Sequence, residues 1–307
     1  HTLTTTSTAI DVGADATAWI DSHLIELREI LTTEGVVRLR GLGEAVREFD
    51  AITETVTGAA PLKYHGGATP RTRIDRNVYS STDFPSEYAI DLHSEMAYSR
   101  TWPLYLAFCC AQPPGSGGAT PLASTVAIAE RIPSALAERL RLLGIRYRRA
   151  FHPLLGTDWR SAYGVNDEAE LLDAAARRGE DVRIDGDVVT SSWTLPAYRD
   201  SEGGVESWFN QMVAFNVRTL PSGVREDLLD VVGEDGIPKN SLLGDGTPFV
   251  ESDISAVRDA VDATSTAVPW AAGDLTIVDN RRFAHGRQPY TGSREVRVCM
   301  TGEGSWV

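Results

Sequence analysis

Three short segments carry residues able to do chemistry. His93-Ser94-Glu95 sets an imidazole and a carboxylate two residues apart, directly after Tyr88-Ala89-Ile90-Asp91-Leu92, which reads as extended. On a strand, residues i and i+2 project from one face, so the two ligand groups would converge; on a helix they would point to nearly opposite sides. The tripeptide alone is a weak signal, since a chain of this composition holds about one His-x-acid by chance, and a surface His–Glu pair is the plain alternative. His285 follows a short buried strand from Leu275 and the polar bend Asp279-Asn280. Taken alone it reads as a structural histidine. Added to His93 and Glu95, it completes the two-histidine, one-carboxylate face that holds Fe(II) and leaves three coordination positions open for oxygen chemistry.

The third segment, Gly292 to Met300, alternates along a strand. Arg294 shares a face with Val296, Val298 and Met300, and Arg297 shares the other with Glu295 and Cys299. The apolar face is the inward one, so Arg294 is expected inside and Arg297 at the surface. An inward guanidinium needs an anion, and its planar fork suits a carboxylate at about 1.5–3 kcal/mol per charge-assisted hydrogen bond.

Residues so far apart must be gathered by the fold. Helical spacing over Ala14 to Thr33 precedes Gly35 and the strand-like Val36 to Arg40; Glu44 to Val56 and Ala123 to Leu143 read as further helices, the latter running into the alternating strand Ile145 to Ala150. Asn166 to Gly179, Ser222 to Val232 and Ser255 to Ala263 are helical, Arg183 to Val189 is a hairpin around Asp185-Gly186, and Ala267 to Met300 is mostly strand. No repeat or low-complexity linker interrupts the chain. One domain over 1–307 is expected, mainly β, with 1–11 disordered and 123–265 forming a helical or lid insertion between core strands.

Composition narrows the function classes. The 307 residues carry 29 Lys+Arg against 43 Asp+Glu, a formal charge of −14, which repels phosphate backbones and anionic membranes and argues against a nucleic-acid or membrane partner. The Thr-rich amino terminus lacks a signal peptide's basic flank and apolar run, and no stretch reaches the length of a membrane span. Three cysteines, Cys109, Cys110 and Cys299, with no CxxC, suit a reducing cytoplasm. Gly115 to Gly118 lacks the Lys-Ser/Thr of a phosphate loop, and neither HExxH nor Gly-x-Ser-x-Gly occurs. Cys109-Cys110 reads as core, and Trp208-Phe209 reads equally as core or pocket wall. The run Arg139, Arg141, Arg146, Arg148 and Arg149 is either a solvated face or a docking patch for an acidic carrier protein.

Beyond these single signals, the chain resembles the taurine dioxygenase (TauD/TfdA) superfamily of Fe(II)/2-oxoglutarate oxygenases, and within it the SyrP-like branch. The resemblance rests on His93-Ser94-Glu95-Met96-Ala97-Tyr98, Pro103, Gly117-Gly118-Ala119-Thr120-Pro121, Trp208-Phe209-Asn210-Gln211, Gly244-Asp245-Gly246, and Asp279-Asn280 through His285-Gly286-Arg287, all in collinear order. It implies a double-stranded β-helix (jelly roll) core flanked by helices, with iron held by His93, Glu95 and His285. It further implies that Arg294 binds the distal carboxylate of 2-oxoglutarate, assisted by Thr120, and that O2 is the oxidant.

The implied function is hydroxylation of an unactivated carbon of an amino acid or small specialised-metabolite precursor, as in antibiotic biosynthesis, free or tethered to a carrier protein. Desaturation or cyclisation by the same oxidant, or a non-catalytic β-helix that binds a small ligand, are the alternatives. Glu95 occupies the position that halogenation needs empty. Some members carry a second arginine four residues after the first to hold an anionic substrate; Val298 stands there. Substrate contacts are therefore sought at Arg71, Arg73, Asn77 and Asn210.

Overall fold

The computed structural model describes residues 9–13, 15–62, 73–75, 78–80, 84–153, 155, 158–200 and 204–306. The chain divides into two compact units, residues 1–128 with 261–307, and residues 129–260.

The first unit is organised by strand alternation. Its larger sheet runs, edge to edge, Ile10–Asp11, Val36–Arg40, Leu275–Asp279, Thr101–Gln112, Glu295–Ser305, Val78–Ser80 and Arg73–Asp75. Successive residues face opposite sides, and both sides of the central strands are apolar, so the sheet builds two cores. Val37, Leu39, Ala107, Cys109, Ile277 and Cys299 pack with Ile20, Leu27, Leu31, Phe49, Ile52 and Val56 of the amino-terminal helices. Val36, Leu106, Phe108, Val278, Val298 and Met300 pack on the other side with Leu122, Phe283 and Trp270. Leu122 and Phe283 come from a smaller sheet ordered Ser265–Thr266, Leu122–Ser124, Phe283–Arg287, Ile90–His93. Two sheets enclosing an apolar interior are the jelly roll that the resemblance implied.

The amino-terminal helical segment is two helices, Ala16–Ser22 and Leu24–Glu34, broken at His23. The His23 imidazole Nδ1 donates to the Trp19 carbonyl at 2.8 Å, while the next helix starts from the His23 backbone. Residues 10 and 11, expected to be disordered, instead pair in parallel with Leu39 and Arg40 and cover the sheet edge.

The second unit, 129–260, falls inside the 123–265 segment expected as a helical or lid insertion, and the strand and hairpin read within that segment join a sheet. It contains a four-stranded antiparallel sheet, Asp181–Asp185, Val188–Leu195, Ile145–Phe151, Lys239–Leu243, beside helices that include Ser134–Leu143, Glu168–Arg178 and Ser222–Val232. The reason is again alternation: Ile145 and Tyr147 are fully buried between the less buried Arg146 and Arg148, so the strand needs a partner on each side and takes Val188–Leu195 and Lys239–Leu243. Tyr147, Trp193 and Phe215 stack or meet edge-on at 5.2–6.5 Å within this unit. Among the described residues no helix is long and apolar enough to cross a membrane.

Ile277 is fully buried in the helix-side core and pairs with Val37 and Ala107. Ile277→Ala is expected to lower unfolding free energy by about 2–5 kcal/mol, read as a shifted urea midpoint with an unchanged slope.

Candidate functional site

In the first unit, strand Phe283–Arg287 pairs antiparallel with Ile90–His93 and sets His285 directly opposite His93. The two rings lie 4.6 Å apart, centroid to centroid. Glu95 is not on the strand, contrary to the i, i+2 reading: the strand ends at His93, and Glu95 sits in the turn that follows. The chain is bent there by Met96, whose φ of +54° makes it the one non-glycine in the left-handed region among the described residues. Such backbone geometry persists where the surroundings hold it, and it concentrates at functional sites.

What holds this turn is Asn280. Its side-chain oxygen accepts from the Glu95 backbone N–H at 2.7 Å, and its amide nitrogen donates to the carbonyls of Glu95 at 3.0 Å and Pro103 at 2.9 Å. The side chain is fully buried. Sequence reasoning placed Asn280 in a polar bend and gave it no role. The signal was present, since an amide directly after a buried strand must find both donor and acceptor partners.

The three ligand atoms converge. Glu95 Oε2 lies 3.4 Å from His285 Nε2 and 4.0 Å from His93 Nε2, and all three fall within 4.8 Å of one another. Around an octahedral ion with bonds of about 2.1 Å, neighbouring ligands stand about 3 Å apart, so a small contraction of this cluster suffices. His93 Nδ1 lies 2.8 Å from the Asp91 carbonyl. A carbonyl only accepts, so Nδ1 carries the proton and Nε2 presents its lone pair to the cluster. The His285 ring packs 5.1 Å from Phe108, and its Nδ1 is buried with no hydrogen-bond partner among the described residues. Two imidazoles and a carboxylate suit a divalent transition metal.

Arg294 precedes strand Glu295–Ser305 rather than lying within it, and a register shift separates Glu295 from Val296. Alternation therefore does not aim it. Its Nε donates to the Gly118 carbonyl at 2.9 Å and Nη2 to Thr120 Oγ1 at 3.4 Å. Burial, with the like charge of Arg287 added, pushes its pKa down to about 10, so it stays cationic at physiological pH. Thr120 lies two residues before Leu122, which pairs with His285. Arg297 instead bonds Glu295 at 2.6 Å in a partly exposed pair, the surface role expected of it.

Arg71 and Asn77 lie outside the described residues, as does the Arg73 side chain; the Arg73 backbone pairs with Tyr79. Asn210, in the second unit, spends its amide on the backbone, donating to Ala197 O and accepting from Met212 N. Trp208 and Phe209 are buried core. Within that unit Arg139, Arg141 and Arg148 are already paired with Asp253, Glu206 and Asp235 at 2.5–2.7 Å. The three cysteines are buried, and desolvation raises Cys109 and Cys299 to about 12 and Cys110 to about 11, which removes them as nucleophiles.

Asn280→Ala is expected to leave the backbone groups of Glu95 and Pro103 short of partners, lowering stability by about 2–3 kcal/mol. It should also weaken Co(II) binding at least tenfold by calorimetry; unchanged metal affinity would show that Asn280 does not position Glu95.

Comparison with known proteins agrees with this geometry. Residues 3–300 match the model of the taurine catabolism dioxygenase TauD, TfdA family. The dapdiamide synthesis protein DdaC of Enterobacter agglomerans is 29% identical over 304 residues, covering 98% of this chain and 91% of that protein. A clavaminate synthase-like protein of Arabidopsis thaliana is 28% identical over 292 residues, covering 89% and 83%. An asparagine oxygenase solved with Fe(II), 2S,3S-3-hydroxyasparagine and succinate shares the fold at a TM-score of 0.55 and 13% identity, over 93% of this chain and 80% of that one. The chain belongs to the TauD, TfdA family: it is a dioxygenase, with Fe(II), 2-oxoglutarate and O2 as its cofactor set.

Proposed function

We propose that this member of the TauD, TfdA family hydroxylates an unactivated carbon of an amino acid or related small specialised-metabolite precursor, in the SyrP-like manner, with iron held by His93 Nε2, Glu95 Oε2 and His285 Nε2. The observation that carries the reading is the convergence of those three atoms on one point in a buried site. When bound, Fe(II) with 2-oxoglutarate and O2 supplies an oxidation that converts C–H to C–OH, while the cosubstrate becomes succinate and CO2. The protein's part is to place and protect. Arg294, with Thr120 beside it, offers its guanidinium to the distal carboxylate of 2-oxoglutarate, and burial strengthens that pairing by excluding water.

The amino-acid substrate class is supported by what the relatives are called: a dapdiamide synthesis protein and an asparagine oxygenase. A free substrate is favoured over one tethered to an acidic carrier, because three of the five arginines that would attract a carrier are engaged in ion pairs of their own. Arg71, Arg73 and Asn77 remain the proposed substrate contacts.

Anaerobic loading with Fe(II) and 2-oxoglutarate, then exposure to O2 with a panel of free and carrier-bound amino acids, tests the reaction. A mass gain of one oxygen is expected; a loss of two hydrogens would mean desaturation or cyclisation instead. His93→Ala, Glu95→Ala and His285→Ala should each abolish 2-oxoglutarate consumption with the circular dichroism spectrum retained.

For the cosubstrate, Arg294→Ala should weaken 2-oxoglutarate binding at least tenfold, and Arg297→Ala far less. The reverse order would exclude Arg294 as the anchor.

A further inference from the structure

Arg38 stands on the interior face of the larger sheet, among largely apolar side chains. Thr276 pairs with Arg38 on one side and Phe108 on the other, and Phe108 pairs with Val298. Directly paired residues project to one side, so Arg38 shares the interior face with Phe108 and Val298. It is 8% exposed. Nη2 donates to the Pro269 carbonyl at 3.2 Å and stands 3.6 Å from Asp274 Oδ2, and Nε is buried with no partner among the described residues.

Asp274 is shared between Arg38 and other donors. Arg40 Nε donates to its Oδ1 at 3.2 Å, and the Ala271 N–H donates to its Oδ2 at 3.0 Å. Two guanidinium groups around one carboxylate leave a positive charge over, on the wall of a cavity of about 240 Å³ bounded by Val36, Arg38, Phe108, Thr120, Trp270 and Thr276. That volume falls below the roughly 300–1,000 Å³ of drug-sized pockets, which sets the size of what it can take.

We propose that this cavity is a second anion site, taking a small aliphatic carboxylate on Arg38, separate from the site at Arg294. The guanidinium supplies the charge and the fork geometry, the hydroxyl of Thr276 supplies a further polar contact, and Val36, Phe108 and the Trp270 ring cover a short hydrocarbon body. Thr120 links the two sites: its hydroxyl accepts from Arg294 Nη2 at 3.4 Å and from Trp270 Nε1 at 3.3 Å. The Trp270 ring in turn lies 5.9 Å from the Arg38 guanidinium. An anion in the cavity thus sits one hydroxyl away from the proposed cosubstrate anchor. The case for Arg38 stands on the cavity and its charge and is independent of the metal triad.

Equilibrium dialysis of the metal-free full chain against labelled succinate, repeated with labelled 2-oxoglutarate, tests this. The wild type is expected to hold succinate at a site that weakens at least tenfold in Arg38→Gln and is kept in Arg294→Gln. Val268→Phe, which fills the cavity from its half-buried wall without altering a charge, should reproduce the loss and carries the test if Arg38→Gln fails to fold. Retained succinate binding in Val268→Phe, or loss in Arg294→Gln as well, overturns the proposal, the second by making the two guanidinium groups one site. A site that takes 2-oxoglutarate as well as succinate identifies carboxylates generally as its ligands; one that takes succinate alone identifies the coproduct.

Discussion

The register that sets His285 opposite His93 is the constraint on which the site depends. Side chains alternate with a period of two, so a slip of one residue would send one imidazole to the far side of the smaller sheet and separate the ligands. The strand carrying His285 is pinned from both edges. Phe283, Ala284 and His285 pair with Ser124, Ala123 and Leu122 on one side, and on the other Gly286 approaches so closely that a Cβ there would meet the Ile90 carbonyl at 2.5 Å. A larger residue would push the two histidine strands apart. The third residue of the cluster obeys a different control, because Glu95 lies beyond the strand and is placed by the Asn280 amide and the left-handed turn at Met96.

Around that register the larger sheet performs two tasks with one alternation. Its outward residues join the amino-terminal helices, and its inward residues line the chamber between the sheets. Burying cations in such a chamber opposes folding through desolvation, which depresses the pKa of Arg38, Arg287 and Arg294 alike. Arg287 recovers much of this through three carbonyls, those of Phe84, Pro85 and Tyr88. An interior this rich in guanidinium is poised for carboxylates, and 2-oxoglutarate brings two of them.

The sequence by itself determined the chemistry of the ligands. His93, Glu95 and His285 were legible as candidate metal-holding residues, and the order of the flanking motifs, through the resemblance it carries, indicated the family and the strand-built class of the fold. Strands with strong alternation, Val36–Arg40 and Ile145–Phe151 among them, were legible because burial imposes a period of two that survives in the residue types. Only the tertiary structure decided how Glu95 reaches the cluster, why Arg294 points inward although it precedes its strand, that Asn280 locks the turn, and that the 129–260 unit carries a sheet. Each of these rests on a partner far away in the chain: Asn280 for Glu95, Gly118 for Arg294, Lys239–Leu243 for Ile145–Phe151. Local sequence records which face of an element will be buried; it does not record which distant group completes a hydrogen bond or a sheet edge, because that is fixed by packing across the whole unit.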